Sequence, residues 1–95
     1  LLAGSDYEIE EFQLSSDPRQ LTTVHHRSLQ ELELGSRSGA MVLAIRDGER
    51  LIANPSSDVQ LGPGQLLIVL GSKEQLAVFQ GLLGEAVITV DNMPA

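Results

Sequence analysis

Residues 66–70 read LLIVL, apolar at every position, set between the turn Gly62-Pro63-Gly64 and Gly71. A strand with one wet face alternates apolar with polar residues, so an unbroken apolar run predicts a central strand covered on both faces. Whatever fold the chain adopts must therefore lay something against each side of that strand.

The rest of the chain limits what is available to do so. Ninety-five residues are one domain's worth of sequence, and a domain this small has a modest core that a partner can complete. Residues 5–85 read as that domain, with residues 1–4 and 91–95 as flexible ends. The opening at Leu1, in LLAGS, reads as part of a longer chain. Six Lys plus Arg against thirteen Asp plus Glu give a net charge of -7. That is the wrong sign for tracking a nucleic-acid polymer, which needs a basic stripe, although local arginines suffice to hold a small anion. With no cysteine there is no disulfide framework and no thiolate metal site, which fits a reducing cytosolic setting. The longest apolar run, residues 40–45, is far shorter than the ~18 residues of a membrane span, so direct membrane insertion is not expected.

Local patterns give the element order. In YEIEEFQL (7–14), Tyr7 and Ile9 share one parity and Phe12 and Leu14 the other. This predicts either a bulge near Glu10-Glu11 or a strand whose two ends face different neighbours. Residues 15–27 are polar and contain Asp17-Pro18, a loop anchored by Leu21 and Val24. Ser28 to Glu31 has the form of a capping box, predicting a short helix with Leu29 and Leu32 that ends before Gly35. GAMVLAIRDGERLIANP (39–55) predicts a hairpin turning on Asp47-Gly48 as a type I′ turn. That turn sets Arg46 opposite Glu49, Ile45 opposite Arg50, Ala44 opposite Leu51 and Leu43 opposite Ile52. Met41, Leu43 and Ile45 then share one face, and Val42 and Ala44 the other. A second capping box, Ser72 to Gln75, opens a helix through residue 83 with Leu76, Phe79, Leu82 and Leu83 on one stripe. VITV (87–90) adds a short strand. The order βαβββα is an α+β fold, a small sheet with its helices on one face.

Five pieces in sequence resemble the C-terminal ligand-binding domain of the RCK family, regulators of K+ conductance, also called TrkA-C. They are SDYEIEEFQL, HRSLQELEL, GAMVLAIRDGERLIANP, LGPGQLLIVLG and SKEQLAVFQGLL, spanning roughly residues 5 to 83. Gln65 departs from the family's usual aspartate after the glycine turn, and His25-His26 from its usual small residues. The resemblance implies a regulatory, non-enzymatic domain of a potassium channel or uptake system, on the cytosolic side of the cell membrane. LLAGSDYEIEEF resembles the channel form of the junction. The implied partners are a second copy in a two-fold homodimer, a transmembrane potassium pore and a Rossmann-type RCK domain. In several bacterial members the cleft between the two copies binds cyclic di-AMP. The matching positions here are Arg46, Leu51, Ile52, Ala53, Asn54 and Pro55. Arginine suits phosphate, an asparagine amide suits a purine edge, and Ile52 and Pro55 offer apolar faces. The alternative is a dimerisation module that binds nothing small.

Other chemistry fares less well on residue type and spacing. Adjacent His25 and His26 cannot readily share one ion and lack third and fourth ligands, so they read as solvated loop residues and no metal is expected. Glu8, Glu10 and Glu11 alternate over two faces and read as a solvated surface rather than a divalent-cation site. No nucleophile arrangement or phosphate loop is present, so neither an enzyme nor a resident cofactor is expected.

Overall fold

The structure is a computed structural model and describes residues 6–88. The expected ends, residues 1–4 and 91–95, lie outside the described residues, as do residues 89 and 90 of the last expected strand. Strands β1 (Tyr7–Gln13), β2 (Met41–Asp47), β3 (Arg50–Ala53) and β4 (Leu66–Ser72) form an antiparallel sheet in the order β1-β4-β2-β3. Helices α1 (Leu29–Leu32), α2 (Leu34–Ser38) and α3 (Lys73–Leu83) accompany it, with single 3-10 turns at Pro18–Gln20 and Gly84–Ala86.

Both capping boxes close as predicted. The Ser28 hydroxyl accepts from the Glu31 amide while the Glu31 carboxylate accepts from the Ser28 amide, and Ser72 and Gln75 do the same at α3. Helix α3 packs across β4 and β1, and α2 packs on α3. Leu76, Phe79 and Leu83 of α3 are buried with Phe12, Ile45, Leu67 and Val69 of the sheet, the Phe12 and Phe79 ring centres 5.3 Å apart. Leu21 and Val24, the expected loop anchors, are fully buried in the same core. Gly71 permits this close approach, because a Cβ there would lie 3.2 Å from the Ala40 Cβ and 3.3 Å from the Gln75 Cβ.

Some expectations are resolved or extended and others are corrected. Strand β1 pairs with β4 in unbroken register from Tyr7↔Ser72 to Gln13↔Leu66, so the change of parity marks two ends facing different neighbours, without a bulge. The bulge is instead in β2 at Leu43, where pairing with β4 shifts between Val42 and Ala44. The hairpin turns one residue later than expected. Asp47 pairs with Arg50, Arg46 with Leu51, Ile45 with Ile52 and Ala44 with Ala53, which leaves Gly48-Glu49 as the turn. A type I′ turn on Asp47-Gly48 needs positive φ at the aspartate. Within this turn positive φ, +64°, occurs at Gly48 alone, and glycine as first corner residue is the type II′ pattern. Helix α1 ends before Gly35 as expected, with Glu33 at φ +54° as its cap, and a second helix that no sequence pattern announced, α2, follows through Gly35 to Ser38.

A further correction concerns the strand that constrains the fold most. β4 is central and extends through Gly71 to Ser72, yet the helices cover only one of its faces. Leu67 and Val69 are buried, while Leu66, Ile68 and Leu70 are only half-buried. Beside them on this open face stand Tyr7 and Ile9 of β1, Met41 and Ala44 of β2, and Leu51 and Ala53 of β3. Tyr7, Ile9, Met41 and Leu51 are 51 to 61% exposed.

Candidate functional site

The hairpin carries every residue for which a ligand contact is expected, or leads directly into it. The turn and the Leu43 bulge together decide which way those side chains point. With Arg46 opposite Leu51 and Ala44 opposite Ala53, the exposed side chains of Arg46, Leu51 and Ala53 stand on the open face. Arg46 also faces Leu66 of β4 across the sheet. Ile52 pairs with the fully buried Ile45 and packs against the core, so it belongs to the covered face. Asn54 then takes φ +50°, a left-handed conformation that asparagine tolerates better than most residues, with its amide donating to the Leu43 carbonyl at 2.8 Å. Pro55 follows, half-buried. The six positions are thus divided: three share the open face, Ile52 joins the core, and Asn54-Pro55 carry the chain to the helix side.

Gln65, which follows the glycine turn, closes that turn with its side chain. Its Oε1 accepts from the Gly62 amide at 3.0 Å, and its longer arm lets Nε2 donate to Asp47 at 3.3 Å. The buried side chain thereby ties the glycine turn to the hairpin tip.

On the helix side lies an open pocket of about 420 Å³ that no sequence pattern announced. It lies between α1, α2, the start of β2 and the segment after β3. Leu29, Leu34, Val42 and Pro55 form its apolar lining, and Gln30, Glu33 and Ser57 bring polar groups. Its walls are tied together locally, since the Gln30 amide donates to the Ser57 carbonyl and the Leu29 amide to that of Val59. Glu33 is its one charged lining residue. Only the left-handed turn at Glu33 brings it there, and that turn is not written in residue type.

His25 and His26 stack at 3.9 Å between ring centres, His26 with φ +65° and exposed. Among the described residues no three histidine or acidic side chains gather as metal ligands. Glu8 and Glu10 share one parity of β1 and Glu11 the other, and all three are exposed. Among the described residues no helix is long and apolar enough to cross a membrane.

A family model described as the TrkA-C domain matches residues 22–84. A curated relative, "Probable potassium channel protein 2" of Methanocaldococcus jannaschii, is 26% identical over 78 residues, covering 82% of this chain and 22% of its own. The chain therefore spans about a fifth of that relative's length. The KtrA RCK C domain solved in complex with cyclic di-AMP superposes with a TM-score of 0.63 at 24% identity, covering 79% of this chain and 81% of that one. The RCK_C domain dimer of S. agalactiae BusR, also in complex with c-di-AMP, gives 0.65 at 20% identity, covering 79% and 93%. At these identities the solved structures establish the likeness of fold.

Proposed function

The chain belongs to the TrkA-C domain family, and on that premise we propose that it is a regulatory domain of a potassium channel or transporter that pairs with a second copy through its open sheet face and holds a small ligand between the two hairpins. The observation that carries this reading is the open face itself, a continuous apolar row ending in Arg46, Leu51 and Ala53. A second copy supplies the cover that LLIVL asks for. An isologous pair repeats every contact, and with the two-fold axis set beside the hairpins, as this reading requires, the two Arg46 guanidinium groups face each other across it. A ligand with two phosphates related by a two-fold axis, such as cyclic di-AMP, matches that arrangement, each arginine able to grip one phosphate with a planar fork. The KtrA and BusR complexes with this dinucleotide support the ligand class. The domain would sit on the cytosolic side of the membrane, coupled to a pore and a Rossmann-type RCK domain of the same or a partner chain.

Titration calorimetry with cyclic di-AMP tests the reading, with one ligand expected per two chains. Arg46→Ala removes two charge-assisted contacts of about 1.5–3 kcal/mol each, enough to abolish measurable heat unless binding is very tight. Asn54→Ala should weaken binding and leave the dimer intact. The ligand-free dimerisation module is the second reading, favoured by the division of the six positions over two sides of the sheet. No heat well into the micromolar range, with a stable dimer by light scattering, would establish it.

A further inference from the structure

Two acids follow Ser28 at short range, and the fold uses them differently. Glu31 turns its carboxylate back to the Ser28 amide at 2.8 Å and completes the cap. Glu33 makes no side-chain hydrogen bond or ion pair, the one ion pair among the described residues being Arg19 with Asp17. Its carboxylate is left free at the lining of the 420 Å³ pocket. Its backbone is left-handed, a conformation that costs free energy for any residue with a Cβ, and no bond of its own side chain offsets that cost. Across the pocket Asn54, at φ +50°, delivers Pro55 to the lining in the same way. Two of the three left-handed residues other than glycine among the described residues thus shape opposite sides of one pocket. Such outliers gather at ligand clamps.

We propose that this pocket binds a small organic cation: an amidinium, guanidinium or amine carried on an apolar or flat ring body. Leu29, Leu34, Val42 and Pro55 supply the surface for the body, and the volume falls in the range of small-molecule sites. Glu33 supplies the only formal charge in the lining, in a chain of net charge -7, so an anion is disfavoured there. Gln30 and Ser57 remain to orient polar edges. The site lies on the opposite side of the sheet from Arg46 and shares only Pro55 with the positions named for the dinucleotide. Because Glu33 is exposed, its pairing with a cation is screened, and a fragment-sized probe should bind with a dissociation constant on the order of a millimolar.

Nitrogen-15 correlation spectra of the chain, titrated in parallel with benzamidine, benzamide and benzoate, test the assignment. Benzamidine should shift the amides of Gln30, Glu33, Gly35, Ser36, Val42 and Ser57, and the neutral and anionic analogues should act at least about fivefold more weakly, since only benzamidine carries the charge. Glu33→Gln should weaken benzamidine about fivefold or more. Glu33→Gly relieves the backbone, so it should lose the probe while melting no lower than the parent chain. Equal response to the three probes, shifts mapping to the open sheet face, or unchanged affinity in either variant would overturn the site. Should Glu33→Gln fail to fold, which the same spectra reveal, the three-probe comparison and Glu33→Gly decide.

Discussion

The two faces of this sheet are built from similar residues and meet different fates. On one, Phe12, Ile45, Leu67 and Val69 lie under α3 with almost no exposed surface. On the other, Ile9, Met41, Leu51, Ile68 and Leu70 form an equally apolar surface with no helix above it. In a domain that works alone the second face would alternate to polar residues, since a solvated face gains nothing from leucine and isoleucine. The difference teaches that the first face holds the fold together, while the second serves association in the function proposed above. Substitutions should therefore separate stability from assembly.

The largest effect belongs to the covered face. Phe79→Ala, at a fully buried ring against Phe12, should cost about 3–5 kcal/mol, a large share of the stability of a domain this size, as measured by urea or thermal unfolding. A loss below about 1 kcal/mol would mean that the two faces are energetically alike. Next comes the open face. Ile68→Glu should leave circular dichroism native while raising the dimer dissociation constant at least about 100-fold in sedimentation, because it places a charge on the face proposed to receive the second copy. Unchanged association would move the interface elsewhere.

The smallest effect lies away from both faces. The Arg19 guanidinium, and then the Arg19 amide, hold the Asp17 carboxyl below the usual aspartate range. A depressed folded pKa contributes stability at neutral pH that is lost as pH falls through that lowered value. Asp17→Asn keeps an oxygen to cap the 3-10 turn and removes only the ion pair. Its melting temperature should fall slightly below the parent's at pH 7, and the gap should close in strong acid. A gap that widens on acidification would reverse the sign.

What could be read from sequence follows the range of the interaction. Both capping boxes, the extent of α3 and the anchors Leu21 and Val24 depend on a few neighbouring residues, and all were legible. The hairpin was legible as a hairpin, yet its register turned on which of two adjacent residues takes positive φ, and Asp47-Gly48 permits either answer. The Leu43 bulge left no mark in residue type, although it decides that Ala44 and Arg46 share the open face. Helix α2 hid behind Gly35, Ser36 and Ser38, weak helix formers stabilised by packing on α3. The demand of LLIVL for cover on both sides was legible, whereas the cover itself belongs to no segment among the described residues. The pocket at Glu33 was illegible because left-handed glutamate has no sequence signature.

Strand β1 is one edge of the four-stranded sheet, closed at its Gln13 end where the Ile88 amide donates to the Gln13 carbonyl at 2.8 Å and Leu14 bridges to Val87, and open edge backbone is a template for runaway strand addition. Its sequence answers that hazard with Glu8, Glu10 and Glu11, exposed on both sides of the strand, so a second β1 brought alongside would set carboxylates against carboxylates. The opposite edge, β3, is only four residues long. Growth edge to edge into fibrils is thereby discouraged, while a face-to-face contact about a two-fold axis closes on itself after two copies. The acids of β1 thus work against edge-to-edge growth of a domain that keeps one apolar face open.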